Sequence, residues 1–227
     1  MLVSESMSKM VFSINAKSSL SKAITLQQKC QVNMFPVLDK GKLVGVLTDH
    51  DIQRASISDK IPLDAHEAID ILSKVLIREV MTPNPITIPP DYTVEEAAEI
   101  LLRNKIAGAP VLDTNDHVVG VLTRSDVLRV MILLTGSNKK GFQYALRVKD
   151  QPGSISTIVH VMRDHGCRFA SLLLSYHGVP SGSRDVYIRV YDIDDGVATK
   201  LIHKLNEIAT VHYVVDTISK ERKIIIE

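Results

Sequence analysis

Two short stretches of this chain place a hydroxyl and a carboxylate at one fixed spacing. Val44-Gly45-Val46-Leu47-Thr48-Asp49-His50-Asp51 returns seventy-five positions later as Val119-Gly120-Val121-Leu122-Thr123-Arg124-Ser125-Asp126. In each, an apolar run with the character of a buried strand meets Thr-x-x-Asp and then a helical pattern. The Thr hydroxyl can cap the new helix, and the acid three residues on can reach back to the Thr amide. The same junction presents backbone N–H groups, a hydroxyl and a carboxylate to whatever lies in front of it. Helix capping alone and ligand binding are both open to such a junction.

Other chemistry finds little support. There is no Gly-x-Ser-x-Gly, no Gly-Lys-Ser/Thr loop and no His-Glu-x-x-His, so nothing favours an enzyme. Cys30 and Cys167 match no metal spacing, and His50 has no second ligand near it; no metal site is expected. Asp192-Ile193-Asp194-Asp195-Gly196 lacks the later ligands of a calcium loop and reads as a turn and helix cap. A net charge of +1 gives no pull toward nucleic acid or membrane, and 4% aromatics without Trp leave little for base stacking. No signal peptide is apparent, and the apolar stretch Val127 to Leu134 is too short to cross a bilayer. A soluble, cytoplasmic protein with reduced thiols is the expectation.

The elements that must position the two junctions are themselves duplicated. An offset of 74 puts Met7 on Met81, Phe12 on Ile86, Ile14 on Ile88, Ala23 on Ala97 and Pro36 on Pro110. One residue enters the second copy's turn, Asp113-Thr114-Asn115-Asp116 against Asp39-Lys40-Gly41, and the offset becomes 75 through Gly45/Gly120 and Asp51/Asp126. Each copy reads as an extended entry, a helix, a hairpin of two strands and a second helix. Ser18 or Ser19 caps the first helix to about Lys29, and Thr93 caps Val94 to Asn104. Asp64 to Leu76 has helical spacing, and Ile86-Thr87-Ile88 reads as the second entry strand.

The repeat resembles a CBS (cystathionine-β-synthase-type) domain and the pair resembles a Bateman module. Phe35-Pro36-Val37-Leu38-Asp39 with Gly45 to Asp51, and Ala109-Pro110-Val111-Leu112-Asp113 with Gly120 to Asp126, carry the resemblance, together with Val80-Met81-Thr82. After Gly136-Ser137-Asn138-Lys139-Lys140-Gly141 the pattern changes to strand, helix, strand, strand, helix, strand. That is a ferredoxin-like βαββαβ order. It resembles an ACT domain, with Asp150-Gln151-Pro152-Gly153 at the first strand-to-helix turn; the bland reading of that turn is Asp150 as N-cap. The fold class expected is therefore α/β (α+β), a tandem CBS pair of β-α-β-β-α repeats followed by an ACT domain. The expected divisions are 1–60, first repeat; 61–76, connecting helix; 77–136, second repeat; 137–141, linker; 142–217, ACT domain; and a tail, 218–227, without a reading. The domain order resembles the acetoin-utilisation protein B type of bacterial protein.

The resemblance implies an adenosyl-binding site at each junction. A fixed carboxylate, Asp51 or Asp126, can accept both ribose hydroxyls, and Thr48 or Thr123 with the helix amides suits the 5′ oxygen and phosphate. Adenine would lie beside Asn33-Met34-Phe35-Pro36 and Ile106-Ala107-Gly108-Ala109-Pro110, with Thr82 nearby. Arg124 adds a cation for a phosphate in the second copy, where the first has Asp49. The implied role is a regulatory sensor of AMP, ADP, ATP or another adenosyl compound, needing no cofactor and associating as a homodimer. It would act on a protein partner in acetoin or carbon catabolism, with Asp150, Gln151, Pro152 and Gly153 as a possible amino-acid site. A structural dimer without a ligand and an enzyme of unrecognised type are the alternatives.

Overall fold

The computed structural model describes residues 1–57 and 71–225, the side chains of 56 and 57 excepted. The chain divides into two compact units, Met1–Val130 and Met131–Glu227. Most of the connecting helix expected over 61–76 lies outside the described residues; 71–74 is helical.

In the first unit, β1 (Ile14–Asn15) runs parallel to β2 (Met34–Asp39), which pairs antiparallel with β3 (Lys42–Thr48). Lys40 and Gly41 turn the hairpin with φ of 50° and 81°, the two-residue turn that matches strand twist. Ser19 caps α2 (Leu20–Cys30) by accepting the Lys22 N–H, and α3 (Asp49–Ile57) starts directly after Thr48. The second copy repeats this with α5 (Val94–Arg103), β5 (Gly108–Leu112), β6 (Val118–Thr123) and α6 (Arg124–Leu134). Its longer turn is held by Asp113, whose Oδ1 accepts the N–H groups of Asn115 and His117 at 2.9 and 2.8 Å. The entry strand expected over Ile86 to Ile88 shrinks to one parallel bridge, Ile88 with Val111. Pro83, Pro85, Pro89 and Pro90 lack the N–H groups that a longer ladder needs.

The two copies exchange their opening segments. The four-residue helix α4 (Ile77–Val80) and the strand β4 (Thr82–Pro83) open the second copy in sequence, yet β4 pairs with β3 of the first, Thr82 opposite Val46. Ile77 is fully buried in the first copy's core, among Leu20, Phe35, Val37 and Leu47. The helix α1 (Val3–Ser6) does the reverse: Val3 is buried with Ile88, Ala97, Val111 and Leu122 of the second copy, and Ser8 bridges to Val121. The bonds are reciprocal at the sequence offset. Val3 N–H donates to Tyr92 O and Ile77 N–H to Ser18 O; Val94 N–H donates to Met1 O and Leu20 N–H to Val75 O. Glycine makes the fit possible, because a Cβ at Gly120 would strike the Met7 sulfur and one at Gly45 the Met81 sulfur.

The second unit is a five-stranded antiparallel sheet in the order β11-β10-β7-β9-β8, with β7 (Gly141–Lys149), β8 (Arg168–Ser175), β9 (Ser183–Tyr191), β10 (Thr210–Asp216) and β11 (Arg222–Ile224). Helices α7 (Ser154–Asp164) and α8 (Asp195–Asn206) cover one face over Tyr144, Leu146, Ile158, Met162, Ile188 and Leu201. Without β11 this is the split βαββαβ arrangement. The tail that sequence left blank supplies β11, turned back by Asp216, whose carboxylate accepts from Ile218 N–H and Ser219 Oγ. Asp194 caps α8 through the Val197 N–H, and Gly166 closes α7 at φ 79°. Asp150 does not cap α7. The turn 151–153 intervenes, the N-cap is Gly153 at φ 88°, and the Asp150 carboxylate instead pairs with Arg184 at 3.1 Å.

Two expectations follow. Ile77→Ala should cost about 2–5 kcal/mol of stability in urea, and amide exchange should speed up in Phe35–Leu47 more than in Ala109–Leu122; the opposite order would refute the exchange of segments. Burial pushes the Cys167 thiol up to about 11 from 9. The folded state thus favours the neutral thiol: that stabilisation is complete below pH 9 and lost as pH rises toward 11. A pH series of urea unfolding should accordingly show Cys167→Ala with a shallower decline above pH 9 than the parent.

Candidate functional site

The Thr-x-x-Asp junctions fold into closed loops of hydrogen bonds. Thr48 donates its N–H at 3.0 Å and its hydroxyl at 2.7 Å to Asp51 Oδ2, while the Asp51 N–H donates back to Thr48 Oγ1 at 3.3 Å. Thr123 and Asp126 repeat this at 2.9, 2.7 and 3.3 Å. The free-standing N–H after each Thr is also used alike: Asp49 N–H donates to Asn33 O at 3.1 Å, and Arg124 N–H to Ala107 O at 2.9 Å. Those bonds tie each helix start to the stretch leading into the preceding hairpin.

Both carboxylates are 4% exposed. Capping does not require this. Thr93 and Glu96 make the same reciprocal bonds at the start of α5, and that carboxylate lies in solvent. Withdrawing Asp51 and Asp126 from water has a desolvation cost that an exposed cap avoids. The remaining oxygen of each is met by an arginine three residues on: Arg54 Nη2 donates to Asp51 Oδ1 at 3.0 Å, and Arg129 Nη1 to Asp126 Oδ1 at 2.8 Å. These guanidinium-bearing side chains are 64% and 73% exposed, so the pairs are surface ion pairs on one side and buried on the other. Sequence reasoning passed over both arginines. Their signal was a cation at i+3 on the acid's own helix face, in both copies.

The flanking residues divide by accessibility. Phe35 and Ala109 belong to the two cores, and Pro36 and Pro110 are buried beside them. Asn33 and Ala107 are exposed, and Met34 and Ile106 half-buried. Met34 Cε lies 3.2 Å from where a Cβ on Gly108 would stand, so the two stretches meet across the repeats and glycine makes room for the thioether. Thr82 is exposed on β4, beside the first repeat's hairpin, through the exchange of segments. In the second unit, Asp150 is held by Arg184, which also donates to Ser154 Oγ at 2.9 Å. A hollow of about 590 Å³ between α8 and the β10–β11 hairpin is lined by Phe142, Ala198, Ile202, Asp216 and Arg222 among others, and by none of residues 150–153. Among the described residues no three acids, histidines or cysteines gather as a metal site, and no helix is long and apolar enough to cross a membrane.

The CBS-domain model matches residues 3–58 and 77–133. A CBS domain-containing protein of Dictyostelium discoideum is 33% identical over 132 residues, which cover 58% of this chain and 91% of that protein. The chain belongs to the CBS-domain family. The solved CBS-pair protein CBSX2 of Arabidopsis thaliana is 27% identical, over 58% of this chain and 94% of that one, with a TM-score of 0.51. A further CBSX2 structure, in complex with AMP, covers 58% of this chain and 96% of that one at 26% identity and a TM-score of 0.48. CBS pairs also occur inside enzymes: inosine-5′-monophosphate dehydrogenase of Korarchaeum cryptofilum is 28% identical over 117 residues, 52% of this chain but 21% of the enzyme. The duplicated α+β unit described above is therefore a tandem CBS pair, and the C-terminal sheet is additional to it.

Removing a buried acceptor should cost more than removing an exposed one. Asp126→Ala should lower stability by about 1.5–3 kcal/mol, the range for hydrogen bonds to a charged group, and Glu96→Ala by clearly less, since its carboxylate lies in solvent. Urea unfolding of the two variants checks this; equal costs would mean that burial of Asp126 has no energetic consequence.

Proposed function

We propose that this chain is a non-catalytic regulatory sensor whose CBS pair binds an adenine nucleotide or another adenosyl ligand. The observation that carries the reading is the pair of buried carboxylates, Asp51 and Asp126, at duplicated helix starts. In each, Oδ2 is locked by its own Thr, while among the described residues Oδ1 is held by a largely exposed arginine. A ribose diol can compete for Oδ1 with charge-assisted bonds, and an arginine displaced into water loses little. The Thr hydroxyl and the N–H groups of Thr48, Asp49 and Asp51, like those of their counterparts, are already bonded within the fold, contrary to the expectation of free donors, so the 5′ substituent would meet the positive end of the helix dipole instead. Asn33, Met34, Ile106 and Ala107 are the accessible parts of the surface proposed for adenine, with Thr82 at its margin. AMP is the ligand in one CBSX2 structure; in this chain the support is the two carboxylates themselves.

The C-terminal unit serves in this reading as an ACT-type module, for which its sheet order is the support. Its part is association of two copies or capture of an amino acid near Asp150 to Gly153. The Arg184 pair already occupying Asp150 favours association. Binding must favour one arrangement of the protein over another for a signal to reach a partner protein. The proposed link to acetoin or carbon catabolism rests on domain order alone. A second reading, a ligand-free interaction dimer, has its own support: the capping bonds satisfy both acids internally, and α6 leaves Leu128, Met131, Ile132 and Leu133 exposed.

A melting panel of AMP, ADP, ATP, NAD, S-adenosylmethionine and common amino acids decides between them. A ligand at about a hundred times its dissociation constant should add about 2.7 kcal/mol. That gain should shrink in Asp126→Asn or Asp51→Asn, each compared with its own ligand-free melt. No shift with any compound would favour the interaction dimer, and an undiminished shift in both variants would reject the ribose contact.

A further inference from the structure

The two junctions match bond for bond and differ in charge. At the position after the Thr, each backbone N–H donates to the carbonyl facing it, Asn33 or Ala107, so the backbone there has the same placement in both copies, with the Asp49 side chain half-buried and that of Arg124 exposed. In the first copy that residue is Asp49; in the second it is Arg124. Asp49 and Asp51 against Arg54 leave the first junction with one net negative charge; Arg124 and Arg129 against Asp126 leave the second with one net positive charge. His50 and Ser125, the next residues, are both exposed. The helix N-terminus favours an anion equally at both, since α3 and α6 both begin at this position, so the side chains decide.

We infer that the two sites divide adenosyl ligands by charge, an inference that rests on the sensor reading above. The second site, with Thr123, Arg124 and Asp126, takes a 5′-phosphorylated adenosine. The first site, with Thr48, Asp49 and Asp51, takes an adenosyl compound without a phosphate, neutral or cationic at the 5′ position. The adenine and ribose contacts are common to both. The 5′ group alone meets opposite charges, attracted by Arg124 and repelled by Asp49. A chain built this way reads the levels of two adenosyl metabolites at once.

Isothermal titration calorimetry on the full chain tests the division, with AMP in one arm and adenosine or S-adenosylmethionine in the other. One AMP per chain is expected. Arg124→Asp should weaken it at least about tenfold, equivalent to ~1.4 kcal/mol, and Asp49→Arg should raise the AMP stoichiometry to two. S-adenosylmethionine, whose 5′ group is cationic, should be lost in Asp51→Asn and kept in Asp126→Asn, whereas neutral adenosine, which Arg124 does not repel, should survive either single variant. Asp49→Asn and Arg124→Gln, which remove charge without reversing it, should move AMP affinity in the same directions if a reversal variant folds poorly. Two equivalent AMP sites in the parent, or an unchanged stoichiometry in Asp49→Arg, would overturn the division and leave the sensor reading intact. Binding of none of the three compounds would overturn the division, and the sensor reading would fall with it only if ADP, ATP and NAD also fail to bind.

Discussion

A carboxylate withdrawn from water needs donors, and among the described residues Asp51 and Asp126 each receive three: the Thr amide, the Thr hydroxyl and an arginine. That requirement ties strand to helix in both repeats. The Thr must end the strand with its N–H pointing at the acid, and the acid must lie one turn into the helix to accept it. No loop can be inserted between the two elements without breaking the bonds. The junction is therefore rigid where the proposed ligand contact would need it to be, on elements rather than on a loop.

Rigid junctions are useful only if they are brought near each other, and the exchange of opening segments does that. Val3 completes one core and Ile77 the other, so neither repeat is closed without the segment that sequence assigns to its neighbour. A repeat of this size buries a modest share of its surface and is marginally stable by itself. Sharing segments makes the pair the unit of folding, and it brings Met34 of one copy against Gly108 of the other. The two hairpins are thus held at a fixed separation by the same packing that stabilises them.

Much of this was legible. The offset of 74 and then 75 located both hairpins, the turn residues Lys40-Gly41 announced a tight hairpin, and Ser19, Thr93 and Asp194 lie at the caps that their types suggest. Apart from Arg54 and Arg129, which did carry a signal in their spacing, what escaped had little local signal. The helices α1 and α4 are one turn long, too short for a period of 3.6 to show. Exchange between copies leaves no trace in either copy's pattern, because the two opening segments are interchangeable in hydropathy. β11 follows a turn built from Asp216 and Ser219 and is exposed along its length, so neither alternation nor an apolar run marks it. Asp150 misled for a different reason: an acid before a helix suggests a cap, and only the position of Arg184 shows where its charge is used.

The two oxygens of each carboxylate are not equivalent, and that difference links structure to function. Oδ2 takes part in two bonds from one residue within the same turn, so releasing it would undo the helix start. Oδ1 takes part in one bond from a side chain that is mostly in water. An ion pair with its cation in water is weaker than one buried on both sides. Donors at Oδ1 can therefore be exchanged at smaller cost than those at Oδ2, where the fold stays intact. The arginine keeps the acid satisfied in the empty protein and leaves at small cost, so the fold needs no ligand to remain closed around a buried charge.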